Sequence, residues 1–318
     1  MYLVEVERHI CFLPLKIGVE AVTIIAIGKI ILVMFLWSIC FPLITVGIEF
    51  APHLTFATLR ALMAGVALTA LAIALRRPWP HGCRVWIIIS IVGIGATSLG
   101  FFGMFHAAEF VSPGIATVIA NTQPLMAAVL AGVLLKEKLT AKGKVNLFIG
   151  FIGILVISSS QFFSSNSENF SMGITYIVLA AVGITVSNVL IKKIAGNIDV
   201  LMAMGLQMLI GSLPLAIAAF MIEEPTEIQW SLTFIFALTI LSLLGTAFVY
   251  WLWYIILIKV PLNRANAFSF LVPIFGLAMG VMFYDESLTW PQYSGIILAI
   301  LGVTLVTRQG TVQPKSSA

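Results

Sequence analysis

Apolar residues run in long blocks along this chain, and short polar stretches between them hold almost all of the charge. A helix that crosses a bilayer needs about 20 such residues, with charges or Pro, Gly and Asn clusters marking the breaks. The pattern predicts ten helices, at Ile30–Ile48, Leu54–Leu75, Val85–Ala107, Ile115–Leu135, Val145–Ser158, Met172–Ile191, Val200–Ile222, Leu232–Ile258, Ala265–Tyr284 and Gln292–Val306. Residues 1–28 contain Glu5, Glu7, Arg8, Lys16 and Glu20, too many charges for another span or a secretory leader, and read as a cytoplasmic or interfacial lead-in.

The pattern also repeats. Pro124, Glu137, Leu139, Thr140 and Gly153 return as Pro273, Glu286, Leu288, Thr289 and Gly302, each 149 residues later, and Thr97/Thr246 and Ala116/Ala265 keep the same offset. This is a duplicated segment. The expected organisation is a first repeat at 29–160 (helices 1–5), an external linker at 161–170 rich in Ser and Asn, a second repeat at 171–308 (helices 6–10) and a short cytoplasmic tail at 309–318.

Composition agrees with a lipid environment. Hydrophobic residues make up 60% of the 318 positions and charged ones 9%, against roughly 45–50% and about 25% in a soluble domain. The net charge of +4 matters through its placement. With the N-terminus in the cytoplasm and loops alternating, sixteen of the 17 Lys and Arg residues fall on cytoplasmic loops and termini, and the remaining one, Arg60, lies within a span. Eight of the 13 acids, among them Glu223, Glu224, Glu227, Asp285 and Glu286, fall outside. The positive-inside rule then puts both termini in the cytoplasm. Since each repeat contains five helices, an odd number, the second copy enters the membrane from the opposite side. The expected fold is an all-α integral membrane protein of ten transmembrane helices, arranged as two inverted five-helix repeats.

These residues carry a family resemblance. Trp37-Ser38 in helix 1, Leu59-Arg60 in helix 2, Asn-x-x-Pro at Asn121–Pro124 in helix 4 and Glu137-x-Leu-Thr after it return in part as Pro273 and Glu286-x-Leu-Thr, with Gln207 at the place equivalent to Arg60. From Gly28 to Arg308 the chain resembles the drug/metabolite transporter superfamily, in particular its ten-helix EamA-type members. The resemblance implies a multi-pass cell-membrane transporter of small organic metabolites, with helices 1, 3, 4, 6, 8 and 9 around a central cavity. Amino acids and related compounds are the first expected cargo, hydrophobic or aromatic drug-like compounds the second and nucleotide-sugar-like molecules the third.

Several residues could line a substrate path, and each has a plainer reading. Pro124 and Pro273 withhold the amide proton that would bond the carbonyls of Ala120 and Ser269; such breaks are placed against protein or a wet cavity, or are simple kinks. Asn121, Thr122 and Gln123 must point into the bundle, as must their weaker counterparts Asn266 and Ser269. Arg60 sits about two turns from the outer end of helix 2. It is either a carboxylate anchor or a residue that reaches outward and pairs with Glu49. Glu137 and Glu286 precede Thr residues that can cap the next helix, which allows structural or gating roles. Phe101, Phe102 and Phe105 on helix 3, and Tyr250, Trp251, Trp253 and Tyr254 on helix 8, form either an interfacial belt or a stacking face, 101/105 and 250/254 sharing a side. Trp37, Ser38, Ser187 and Asn188 complete the candidates.

No acid lies mid-span, so transport driven by the substrate's own gradient, as a facilitator or exchanger, is expected over proton coupling. No paired intramembrane aspartates, His-Glu-x-x-His or Walker lysine appear, which argues against an enzyme or a self-contained ATP-driven pump. Cys11, Cys40 and Cys83 have no metal or disulfide spacing. No cofactor and no metal are implied; the expected partners are a small-molecule substrate and the lipid bilayer, not nucleic acid, and no feature sets the oligomeric state. A membrane scaffold without transport is the alternative, disfavoured by the short loops.

Overall fold

The computed structural model describes residues 24–107, 110, 119–137, 139–159, 170–194, 196–224, 227–284 and 287–308. Among them every regular element is helical and no strand occurs. In chain order they are α1 (Ile24–Ile48), α2 (His53–Ala74), α3 (Cys83–Ala107), α4 (Gln123–Leu134), α5 (Ala141–Ile157), α6 (Phe170–Ile194), α7 (Val200–Ile222), α8 (Leu232–Lys259), α9 and α10 (Trp290–Arg308). α9 has three parts: Leu262–Ala267, a 3-10 turn at Phe268–Phe270, and Leu271–Tyr284. Eight helices, α1–α3 and α6–α10, are long and apolar enough to cross a membrane. α4 has 12 residues and is apolar. At 1.5 Å per residue it covers about 18 Å, less than the roughly 30 Å of a hydrocarbon core.

Lipid supplies no hydrophobic force between helices, so close contact depends on small residues. α5 and α10 meet that way: a Cβ on Gly153 would lie 2.7 Å from the Gly295 carbonyl, and one on Gly302 would lie 2.9 Å from the Asn146 carbonyl. Gly153 and Gly302 are repeat-equivalent. α2 and α7 cross in the same fashion, Gly65 against Leu209 and Gly205 against Thr69. α3 and α6 are joined through Gly103, whose added Cβ would lie 2.8 Å from that of Ala180.

Two helices are locally unwound into π turns, α3 at Gly93–Leu99 and α8 at Leu243–Phe248. Their last residues, Leu99 and Phe248, are repeat-equivalent, and π turns inside α-helices concentrate at functional positions. In α3 the turn is packed between neighbours, with Gly93 pressed on the Gln207 carbonyl of α7 and Gly95 on the Gly183 carbonyl of α6. A side chain at either position would force the helices apart.

Both prolines of the repeat stand at helix starts and not within continuous helices. Pro124 lies in the first turn of α4, after a turn at Asn121–Thr122, and Pro273 in the first turn of Leu271–Tyr284, after the 3-10 segment. A first-turn proline sacrifices no helical hydrogen bond. Three residues expected in a loop belong to α9: Leu262, Asn263 and Arg264 open it, and Arg264 is 2% exposed.

The α5–α10 crossing should therefore be the most volume-sensitive surface. Gly302→Val is expected to destabilise by roughly 1–3 kcal/mol, read as a lowered unfolding midpoint in detergent. Gly276→Ala, where an added Cβ meets nothing within 4 Å, should stay within about 0.5 kcal/mol. Equal effects at the two sites would refute the packing assignment.

Candidate functional site

Two hydrogen bonds tie helices of one repeat to helices of the other through the π turns. The Arg60 Nε on α2 donates to Thr246 Oγ1 in the π turn of α8 at 2.7 Å. Thr97 Oγ1, in the π turn of α3, donates to the Gln207 Oε1 on α7 at 3.0 Å. Thr97 and Thr246 are repeat-equivalent, and Gln207 holds the place of Arg60, so the same brace is built twice with a cation in one copy and a neutral amide in the other. Ser98 Oγ adds a bond to the Gly211 carbonyl at 2.6 Å.

Arg60 neither reaches outward nor pairs with Glu49. It is 5% exposed. One Nη2 proton points at Cys40 Sγ (3.8 Å), and the guanidinium carbon stands 4.7 Å over the ring centroid of Phe101. Glu49 is exposed, and among the described residues no carboxylate lies within ion-pair distance of Arg60. Trp37 meets Tyr250 (6.3 Å between centroids) and Trp253 (5.4 Å). Trp37 and Tyr250 pack on the cluster that holds Cys40, Phe101 and Phe105. Phe101, Phe105 and Tyr254 are buried, which makes this an inward aromatic group; Trp79, Trp230 and Trp290, all exposed, are placed as a belt would be.

The remaining candidates divide. Ser38, Thr122 and Ser187 donate to nearby backbone carbonyls (Phe35 at 2.7 Å, Ile119 at 2.6 Å, Gly183 at 2.8 Å) and have no hydroxyl proton left for a ligand. Asn188 Oδ1 accepts from the Trp253 indole at 3.1 Å. Asn121 is buried and Gln123 half-buried beside the break that precedes α4. On α9, Asn266 Nδ2 and Ser269 Oγ are buried without a hydrogen-bond partner, as are Tyr254 Oη and Gln207 Nε2. Buried unpartnered polar atoms are rare and call for an explanation; a ligand's polar groups supply one. No cluster among the described residues could hold a metal ion.

The two ends of the bundle carry different chemistry. Glu137 accepts from the Leu262 amide at 2.8 Å, which caps α9, and its other oxygen lies 3.5 Å from Lys192 Nζ. Lys192 in turn donates to the Leu257 and Val260 carbonyls, both at 2.6 Å, at the end of α8. Anion at a helix start and cation at a helix end both match the helix dipole. Glu286, the repeat mate of Glu137, lies outside the described residues. At the opposite end Glu223 accepts from the Leu54 and Thr55 amides, both at 2.7 Å, and its oxygen lies 3.3 Å from His53 Nδ1. His53 Nε2 is 3.2 Å from His106 Nδ1. Pro52, these two histidines, Ile222, Glu223, Glu224 and Glu227 line an open cleft of about 420 Å³. The sequence reading missed Thr97, Thr246, Cys40, Lys192 and this cluster as parts of a site; the shared 149-residue offset of the two threonines was the one available signal.

The EamA-like transporter family model matches the chain twice, over residues 24–159 and 171–308. The chain belongs to the EamA-like transporter family, within the drug/metabolite transporter superfamily. Among its relatives, a probable amino-acid metabolite efflux pump of Salmonella typhimurium (strain LT2) is 30% identical, the match covering 86% of this chain and 91% of that protein. The probable amino-acid metabolite efflux pump of Escherichia coli (strain K12) is 29% identical over the same shares. An uncharacterized transporter of Bacillus subtilis (strain 168), YvbV, is 24% identical, covering 88% and 90%. A crystal structure 18% identical superposes with a TM-score of 0.77, covering 89% of this chain and 98% of that one, a likeness of fold. The chain is thus a multi-pass cell-membrane transporter, and membership in a family of transporters implies a small-molecule substrate.

The Glu137–Lys192 pair should act as a unit. Glu137→Ala and Lys192→Met are each expected to destabilise by about 1–3 kcal/mol by leaving a partly buried partner unsatisfied, and the double change by less than the sum. Additive shifts in unfolding midpoint would show that the two side chains act independently.

Proposed function

We propose that this protein exports a small organic metabolite, amino acids or related compounds first, by alternating access, as a facilitator or exchanger. In this reading α4 and α5 also cross the membrane, giving ten spans in two inverted five-helix repeats with both termini in the cytoplasm. The substrate path runs beside the interruptions that precede α4 and Leu271–Tyr284. The observation that carries the reading is this pair of helix breaks at repeat-equivalent places, each next to a buried asparagine, Asn121 and Asn266. Discontinuous helices at the interface of inverted repeats are where such transporters bind their cargo. The relatives named as metabolite efflux pumps support the direction and the first substrate class.

Within this reading Trp37, Tyr250, Phe101, Gln123 and Asn266 face the cargo at some stage of the cycle. Ser38, Thr122 and Ser187 serve the backbone. Glu137 with Lys192 closes one mouth and Glu223 with His53 the other.

Cells expressing the native chain, compared by untargeted mass spectrometry with cells expressing an Asn121→Ala/Gln123→Ala variant of equal membrane abundance, test the proposal. At least one metabolite should accumulate in the medium with the native chain and fall toward the empty-vector level with the variant. Identical media for native chain and empty vector would contradict export; equal export by native chain and variant would move the path away from α4.

A further inference from the structure

The buried charge of Arg60 is half used. A guanidinium has five N–H donors and stays protonated in proteins. Thr246 takes the Nε proton and Cys40 one Nη2 proton. The other three have no acceptor among the described residues. Nor is there a counter-ion among the described residues: Glu137 faces Lys192, Asp199 lies 3.8 Å from Arg77, Glu223 serves α2 and His53, and Glu49 is exposed. A cation inside a span is expensive unless an anion or its equivalent answers it. The Phe101 ring supplies a partial answer from one side.

Resting on the transport reading above, we infer that Arg60 is the anchor for a carboxylate of the substrate, and that the cargo is an organic acid or zwitterion with one carboxylate on a compact apolar or aromatic body. Unused N–H groups remain on both Nη1 and Nη2, and a carboxylate matches such a planar pair of donors with two parallel hydrogen bonds. Phe101 lies under the guanidinium, and Trp37 and Tyr250 belong to the same apolar cluster, so the surroundings suit an apolar body. Among the described residues the site carries a single cation. A phosphate ester or dicarboxylate would bring a second negative charge with no described side chain to meet it, and is disfavoured. The repeat-equivalent brace has Gln207 in place of the arginine, so the carboxylate preference belongs to one half of the molecule only. Thr246 orients the guanidinium through Nε and does not meet the substrate.

The test uses purified full-length protein and reads ligand-induced thermal stabilisation. Phenylacetate, benzoate and L-phenylalanine are each titrated against the corresponding carboxamide. For the native chain the half-saturating concentration of at least one acid should be lower than that of its amide by about tenfold or more. Arg60→Gln should erase that preference while leaving the amide's response, and Arg60→Lys should keep part of it. Thr246→Val should lower the basal unfolding temperature and retain a carboxylate preference, which separates bracing from recognition and covers the case of an unfolded Arg60→Gln. Equal response to every acid and amide, or a preference that survives Arg60→Gln, overturns the inference. So does stabilisation by chloride that matches the organic acids, since the counter-ion is then inorganic. If the inference fails while the native chain still exports metabolites, the transport reading stands; loss of export itself removes that reading.

Discussion

Every polar group placed in hydrocarbon must find its partner within the chain, and the two braces between α2 and α8 and between α3 and α7 are this protein's response to that constraint. A π turn loosens the helical ladder, and in each case a threonine in the turn bonds to a long polar side chain of the other repeat. The glycines that let the backbones approach, Gly93 and Gly95 in α3 and Gly211 in α7, sit at the same level. The polarity that would be a defect in lipid becomes the joint between the repeats. A joint made of single hydrogen bonds, unlike an interdigitated core, can break and reform without unfolding the helices around it.

The duplication is symmetric in its frame and asymmetric in its chemistry. Equivalent positions hold the prolines, the π turns and the glycines of the α5–α10 crossing. Arg60 has Gln207 as its counterpart, however, and the Glu137–Lys192 pair at one end has the His53–His106–Glu223 group at the other. Identical halves would give two equivalent states. Charge in one half alone makes the two sides of the cycle chemically distinct, which a transporter needs if it is to favour a direction or a type of cargo.

Much of this was legible in the chain. Eight of the ten expected spans hold helices long and apolar enough to cross, because lipid enforces length and apolarity locally, while the fourth and fifth hold the shorter helices Gln123–Leu134 and Ala141–Ile157. Helix starts were less legible: Asn263 and Arg264 read as a loop, yet they are buried in the first part of α9, where Asn263 bonds to the Glu137 carbonyl from more than a hundred residues away. Pro124 suggested a kink in a long helix and instead opens a short one. Asn121 was legible as an inward-facing residue because an uncompensated amide cannot face lipid, whereas Arg60 read as well as a residue reaching outward to Glu49. The partners of Arg60 and Trp37 were not legible, since Thr246, Cys40 and Trp253 are fixed by the packing of distant helices. The π turns have no local signature beyond a glycine or two.

The central claim is that two inverted halves open alternately around the braced centre. Spin-label distances in lipid test it directly, between labels at Lys136 and Lys259 at one end of the bundle and, in a second sample, between labels at Met172 and Leu232 at the other. All four positions are exposed. The account predicts two distance populations in each sample, which shift in opposite senses when Glu137→Ala opens the end closed by Lys192. A single distribution that is unchanged by the substitution at both ends would contradict it.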